Sequence, residues 1–377
     1  MPNISLKLAL ALTTIIAASS AHSQTTSFDV QGSQGTTIKA VAYAEFDEPW
    51  AMTFLPDGRM LITEKSGQVV LVSATGERLG LIEGVPETDA SGQGGLGDIV
   101  LHPDFRQNGL AYLSYVEFEG SESGAVVERA PLTLTEDGGT FGPFERIWTQ
   151  IPKGSTTRHY SHRMAFDKDG YLFITSGDRG EQTPAQDLDV NLGKIIRLRA
   201  NGDVPSDNPY VGQTTISQEF WSVGHRNPLG LAFDANGNLW SHEMGPRHGD
   251  ELNLVQPGQN YGWPVVSDGN NYSGALIPDH DTSDEFSRPA ISWVPAISPA
   301  GLIIYSGDVF PDWSGNAFIG GMSSEALIRV EISADGTASE QERFSWEQRI
   351  REVEQGPDGH IWVLEDGSGG RLIRLES

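Results

Sequence analysis

The residues best equipped for chemistry lie in short polar loops that interrupt an otherwise apolar pattern. RHYSHR, beginning at Arg158, holds His159 and His162; SGDRG, beginning at Ser176, holds Asp178. On a strand, positions i and i+3 face opposite sides, so His159 and His162 make a poor metal clamp. One of them is better suited to be a base facing a channel, and the other a structural residue. Asp178 closes the apolar hairpin pattern that starts at Arg163, which returns it near His159. A carboxylate on one imidazole nitrogen fixes the tautomer and leaves the other nitrogen free to take a proton. The residues alone leave open the ordinary alternative of a hydrogen-bonded surface histidine.

Two further groups suit charged ligands. HEMGPRHGDELN from His242, followed by GQNYGWP, sets Gly-Pro carbonyls close to several carboxylates. Hard cations take such oxygens, and calcium suits an exported acidic protein. The spacing is not that of a calcium-binding helix–loop–helix, so a solvated acidic loop stays open. In QRIREV, Arg349 and Arg351 are two apart, which on a strand turns both to one face. With Arg226 of GHRNPLG they can grip an anion by bidentate bonds. Ordinary salt bridges to the surplus acids are the alternative. GQGGLGD at Gly92 is a further polar loop of the same kind.

The elements that must carry these loops are strands. Short apolar or alternating runs are divided by Gly, Pro, Asp and Asn, with little helical periodicity. One unit recurs: an apolar strand, a turn, then a second apolar strand. It reads AMTFLPDGRMLIT at Ala51, IVLHPDFRQNGLAYLSYV at Ile99, RMAFDKDGYLFITSGD at Arg163, GLAFDANGNLWSHE at Gly230, GLIIYSGDVFPDWSGNAFIGG at Gly301 and VEQGPDGHIWVLED at Val353. Asp-Gly and Asn-Gly supply the positive φ that tight hairpins need. Such hairpins cannot bury both faces alone and must pack on one another. The expected fold is all-β, a six-bladed β-propeller of four-stranded antiparallel blades, with a β-sandwich or two β-domains as the alternative. No low-complexity linker divides residues 24–377, which reads as one catalytic domain. The final run RLIRLES is expected to close the ring by pairing with an N-terminal strand.

Composition bounds the function. The 377 residues carry 25 Lys and Arg against 51 Asp and Glu, a net charge of −26. No basic stripe is available to neutralise phosphates, so nucleic acid is excluded as a partner, and anionic membrane surfaces are disfavoured. The chain has no cysteine, which removes disulfides, thiol catalysis and Cys-ligated metals. Lys7, the apolar run Leu8 to Ala18 and the small residues of Ala21-His22-Ser23 read as a signal peptide over residues 1–23, cleaved after Ser23. Retention as a membrane anchor is the alternative. No later run is long enough to span a bilayer. The mature protein is expected in a periplasm or outside the cell.

Taken in order, QGGLGD, HYSHR, GDRG, GHRNP, MGPRHGDE, NYGWP and RIREV resemble the soluble quinoprotein glucose/sorbosone dehydrogenase family, aldose sugar dehydrogenases that use pyrroloquinoline quinone (PQQ). The resemblance runs from about Glu48 to Leu375 and implies a six-bladed propeller. It implies that His159 is the general base and that Asp178 orients it. It places Gln93, His159, Arg226, Asn227, Arg349 and Arg351 against the quinone. It assigns the carbonyls of Gly245 and Pro246 to the cofactor's calcium, and Glu251 and Tyr261 to a second, structural calcium. The implied reaction is oxidation of an aldose at its anomeric carbon to a lactone by hydride transfer to PQQ. Calcium polarises a quinone carbonyl, Arg226 stabilises the developing negative charge, and an unidentified acceptor takes the electrons. Three positions depart from the family pattern. His162 stands where Gly is frequent, Ser323 where glucose dehydrogenases carry Lys, and Ala296 where they carry Thr. PQQ is therefore expected to be held less tightly or in a different arrangement. Two other readings use the same loops: a calcium-dependent propeller lactonase or hydrolase working through metal-bound water, and a non-catalytic propeller that binds a partner or glycan.

Overall fold

The computed structural model describes residues 25–377; the expected signal segment, residues 1–23, lies outside the described residues. The fold is all-β, and helical pieces are single turns such as Phe105–Asn108. No helix among the described residues is long and apolar enough to cross a membrane.

The repeated hairpins of the sequence are the first two strands of successive antiparallel sheets. Ser161–Phe166 pairs with Tyr171–Ser176, Pro228–Phe233 with Leu239–Glu243, and Pro299–Ile304 with Ala317–Gly321, and each pair is extended by two more strands to a four-stranded sheet. Pro49–Phe54 with Met60–Glu64, and Leu96–Leu101 with Leu110–Glu119, open two further sets. The short strand Gly139–Phe141 joins these two sets into one nine-stranded sheet by pairing parallel to Arg78–Glu83. Turn glycines such as Gly58 (φ 87°) and Gly170 (φ 83°) sit where an L-residue with a side chain would be strained.

The two ends of the chain share a sheet. Thr37–Asp47 runs antiparallel to Ser368–Glu376, from Lys39 opposite Glu376 to Asp47 opposite Ser368. That pairing, expected from RLIRLES, ties the N-terminal strand to the hairpin Ile350–Gln355 and Ile361–Glu365. The opening strands of the sets pack each against the next, and Ile350–Gln355 packs back on Pro49–Phe54. The ring so closed leaves the outer strand of each sheet as its edge, while the inner strands face the middle.

The apolar core lies in seams between neighbouring sheets. Leu61 and Leu71 meet Leu96 and Leu113; Tyr112 and Val127 meet Leu172 and Ile196; Phe173 and Ile195 meet Leu239 and Val255. Trp240 and Leu252 meet Ile319 and Ile328, Phe318 and Phe344 meet Ile361 and Ile373, and Trp362 and Leu372 meet Met60 and Ile62. Each such side chain stabilises the ring by about 1.5–3 kcal/mol on burial. Every sheet needs both neighbours to cover its two faces.

Each opening strand is broken at the same place, one or two residues in. The pairing register shifts at Pro49/Ala51, Leu96/Ile99, Ser161/Met164, Pro228/Gly230, Pro299/Leu302 and Ile350/Glu352. A bulge re-aims the side chains that follow it. Here it turns polar residues of strands that are otherwise core into the middle of the ring.

Candidate functional site

The bulge in the Ser161–Phe166 strand builds the first part of the site. His159, Ser161 and His162 all have positive φ (52°, 61° and 60°). Non-glycine residues hold that conformation only where their surroundings impose it. Gln93 Oε1 accepts the His159 N–H at 2.7 Å, and Ser161 Oγ donates to Asn227 Oδ1 at 3.0 Å. Gly177 lets two backbones meet, since a Cβ there would lie 2.1 Å from the His159 carbonyl oxygen. Polar loops that are distant in sequence therefore lock one another.

His159 Nδ1 lies 2.7 Å from Asp178 Oδ1. Asp178 is fully buried, and its other oxygen accepts the indole N–H of Trp263 at 2.8 Å. Burial pushes the Asp178 carboxyl up, but the bond to His159, the charge of Arg226 and the Gly180 N–H outweigh it and hold the group below the usual carboxylate range. It is therefore ionised and accepts a hydrogen bond from the His159 Nδ1–H. Burial, with Arg226 acting in the same direction against Asp178, holds His159 below its ordinary value. The ring is neutral at pH 7 with the Nε2 lone pair unprotonated, as a general base requires. The Arg226 guanidinium lies 5.3 Å from the Trp263 ring and donates to the Met244 carbonyl at 2.9 Å. Its Nε is buried without a partner among the described residues, a donor left over for a ligand.

Beside this network is a cavity with about 290 Å³ of water-accessible space. Gln93, Asn227, Arg349 and Arg351 line it, together with Trp50, Lys65, His162 and Asp366. His159 and Arg226 adjoin this wall without forming it, His159 through Tyr160 and Arg226 through Asn227. Arg349 and Arg351 do face the same side and grip one carboxylate: Arg349 Nε is 2.7 Å from Asp366 Oδ2, and an Arg351 terminal nitrogen is 2.7 Å from Asp366 Oδ1. Salt bridging and cavity lining thus hold together, and the pair keeps one net positive charge. Burial pushes the Asp366 carboxyl up, but the two arginines outweigh it and bring it below its ordinary value. Ser323 and Ala296, where the resemblance expects Lys and Thr, meet each other, with Ser323 Oγ 3.4 Å from the Ala296 carbonyl oxygen.

Gly245, Pro246, Glu251 and Tyr261 line a smaller neighbouring cavity with Arg226 and Glu243, joined to the first at Met244. The carbonyls of Gly245 and Pro246 accept no hydrogen bond from a described residue. Gly245 is packed so closely that a Cβ would lie 2.2 Å from the Gly249 carbonyl oxygen. This fits a cation held by backbone oxygens. No three His, Asp or Glu side chains among the described residues converge on one point, so carbonyls would have to supply most of a cation's ligands here. The Tyr261 hydroxyl is already committed, donating to the Leu254 carbonyl at 2.6 Å and accepting from Gln256 N–H. Only its carbonyl is available. Glu251 accepts from His280 Nε2 at 3.0 Å and lies 3.3 Å from Asn253 Nδ2.

The second histidine of RHYSHR is structural. His162 is 2% exposed, stacks on Trp50 at 5.1 Å and meets Ser114 Oγ through Nδ1 at 2.7 Å. Burial, aided by the Arg163 charge, pulls it down to about 3, and His242 likewise to about 3. The unfolded chain binds these protons near pH 6.5, and the folded chain only near 3. Both rings therefore withdraw stability as pH falls through that window. Ring-proton NMR should show two histidines unmoved down to about pH 4. Two histidines titrating near 6.5 in their place would contradict this.

Trp263, Asp366, Trp50 and Lys65 were not singled out from sequence. NYGWP marked the first as part of a motif without a role. Trp50 carries no local signal, because His162 and Arg163 reach it from another sheet; Asp366 closes the hairpin that holds Arg349 and Arg351, so its place at the end of that repeat was the signal available.

An all-β ring with a His–Asp pair beside a cavity lined by two arginines and a lysine is the layout of a propeller enzyme. The family model for glucose/sorbosone dehydrogenase matches residues 46–374, and the chain belongs to that family, whose members are oxidoreductases acting on sugars. It is 39% identical over 338 residues to aldose sugar dehydrogenase YliI of Escherichia coli strain K12, covering 88% of this chain and 90% of the relative. The fold matches the apo crystal structure of the soluble aldose sugar dehydrogenase from Escherichia coli with a TM-score of 0.85 at 37% identity, over 90% of this chain and 99% of that one. It also matches the PQQ-bound aldose sugar dehydrogenase from Streptomyces coelicolor with a TM-score of 0.71 at 26% identity, over 92% and 98% of the two chains.

Proposed function

We propose that the protein is a PQQ-dependent aldose sugar dehydrogenase that oxidises the anomeric carbon of an aldose to a lactone, with calcium assisting. The observation that carries this reading is the coupling of the His159–Asp178 pair to a cavity walled by Arg349, Arg351 and Lys65 in a chain of net charge −26. Such a wall favours an anionic redox group over a hydrolase that works through metal-bound water, and over a simple binding module. The likeness to a protein whose PQQ-bound structure is known supports it. We count the blades as six, on the bulged opening strands and the seams between sheets, and read residues 24–377 as one exported domain.

The residues present fit the group. Arg349, Arg351, Asn227 and Gln93 would hold PQQ, the Gly245 and Pro246 carbonyls its calcium, and the Glu251 and Tyr261 region a structural calcium. When bound, PQQ with calcium supplies an electrophile able to accept a hydride. His159 Nε2 takes the proton of the anomeric hydroxyl as the carbon–hydrogen bond breaks. Asp178 keeps the proton on Nδ1 and stabilises the imidazolium that results. The unpartnered Nε of Arg226 meets negative charge developing on oxygen. An acceptor outside the chain then takes the electrons.

Adding PQQ and calcium to purified protein and following dye reduction with a panel of aldoses tests the reading. Sugar-dependent reduction that needs both additions is expected, and no quinone binding in the presence of calcium would overturn it. Exhaustive chelation should remove activity and lower the melting temperature together, because a ligand bound only by the folded state stabilises it by mass action. Full activity with an unchanged melting temperature after chelation would remove calcium from the account.

A further inference from the structure

Among the described residues, Lys65 is the only lysine on the wall of the cavity shared by Gln93, Asn227, Arg349 and Arg351. It begins the turn after the Met60–Glu64 strand, and its backbone is fixed on both sides. Its N–H donates to the Glu48 carbonyl at 3.0 Å, and its own carbonyl accepts the Leu96 N–H at 3.0 Å. Gly95 of the QGGLGD loop lies against its stem, since a Cβ at Gly95 would sit 2.5 Å from Lys65 Cγ. The charge at the end of this stem is only loosely paired. Lys65 Nζ forms no hydrogen bond among the described residues; its one ion-pair partner is Glu48, at 3.7 Å, whose side chain is 53% exposed. Arg349 and Arg351, by contrast, are already bonded to Asp366. An ammonium with three donors and no acceptor, held at a cavity wall, is arranged for a ligand that brings its own negative oxygen.

We propose that Lys65 is a third cation of this binding site and pairs directly with a carboxylate of the bound anion, which by the reading above is PQQ. This deepens that reading and rests on it. It also gives the cavity the lysine that position 323 lacks: Ser323 is spent on the Ala296 carbonyl, while Lys65 brings a positive charge to the wall from another sheet. Glu48 is then a competitor for the same ammonium rather than its permanent partner.

The test is equilibrium binding, read by quenching of tryptophan fluorescence, for which Trp50 on the cavity wall is a reporter. PQQ is titrated with calcium present into the unaltered protein and into Lys65→Met, Lys65→Arg, Glu48→Gln and Arg351→Ala, at two salt concentrations. A parallel series uses benzene-1,3,5-tricarboxylate, an anion with no redox chemistry. Lys65→Met should bind PQQ about tenfold or more weakly, the weight of one charge-assisted hydrogen bond, with a flatter salt dependence. Lys65→Arg should recover most of the affinity, and Glu48→Gln should bind at least as tightly as the unaltered protein. If Arg351→Ala weakens binding while Lys65→Met does not, Lys65 only braces the rim and the proposal fails alone. If the tricarboxylate binds in a Lys65-dependent way and PQQ does not, the cation role stands and the quinone reading fails. A protein that binds neither anion overturns both.

Discussion

Replacing His159 by alanine is expected to lower turnover by about 10²–10⁴-fold, the usual worth of a positioned general base, while leaving the melting temperature nearly unchanged. The side chain is largely covered, at 12% exposure, but it lies outside the apolar seams, and Asp178 keeps its bonds to the Trp263 indole and the Gly180 N–H when it is removed. Its backbone hydrogen bond to Gln93 is made by N–H and survives the change. What is lost is the Nε2 lone pair and the charge sink behind it. The same geometry predicts the pH profile. Burial holds His159 below its ordinary value, so activity should rise through the acid range and reach its plateau below pH 6.5. Asp178→Asn should keep the ring in place, yet remove the charge that fixes the Nδ1–H tautomer, and so lose activity without losing cofactor affinity. His162 cannot stand in as the base, because its ring is buried against Trp50 and its Nδ1 is bonded to Ser114. An alanine variant that kept more than about half the normal rate with saturating cofactor would dismiss His159 from this role.

Arg163→Met should be the most damaging single change to stability, costing about 3–5 kcal/mol. Arg163 lies in the middle of the ring, with its guanidinium 4.1 Å from the Trp50 ring and its Nε donating to the Leu229 carbonyl at 3.0 Å. It is hydrogen-bonded to Glu352 and lies 3.5 Å from Asp98. Glu354 lines one small cavity with Asp98, Arg163 and Glu352. One cation thus serves three enclosed carboxylates. Burial pushes Asp98 up, Glu352 to about 7 and Glu354 well above its ordinary value, against the pull of Arg163. A carboxyl raised in the folded state binds a proton that the unfolded chain has already released, so Glu352 withdraws stability as pH rises from about 4.5 to about 7. Without Arg163 that penalty grows. Denaturant unfolding of the variant should therefore show a deficit that shrinks on acidification, and Glu352→Gln added to Arg163→Met should restore part of the loss. A deficit independent of pH and untouched by the second change would mean that packing against Trp50, not charge, is what Arg163 supplies.

The two expectations differ in how far they could be anticipated. His159 and Asp178 are separated by a single hairpin, and a hairpin is a local object. Its turn glycine, its alternating strands and its length are written in consecutive residues, so the return of Asp178 to His159 follows from the chain itself. The same is true of Arg349 and Arg351, whose spacing of two puts both on one side of a strand. Repetition of that hairpin was also enough to imply sheets packed in series, since each alone leaves a bare apolar face. The resemblance of the loop motifs to a known family added roles that no spacing could supply.

What the tertiary structure decided is which loops meet. Trp263 reaches Asp178 across 85 residues, and Glu352 reaches Arg163 across 189. The first joins two neighbouring sheets and the second crosses the middle of the ring, and no short window of sequence contains both partners. The bulges mattered as much. Alternation predicts that an opening strand shows one face to each neighbouring sheet, yet a shifted register at Ser161/Met164 and Ile350/Glu352 turns Arg163 and Glu352 into the ring's centre. Lys65 was silent for a related reason. An isolated lysine in a chain with 51 Asp and Glu and 25 Lys and Arg reads as solvated surface until its neighbours are known. Charge acquires meaning from distance and burial, and both are properties of the closed ring rather than of any segment within it.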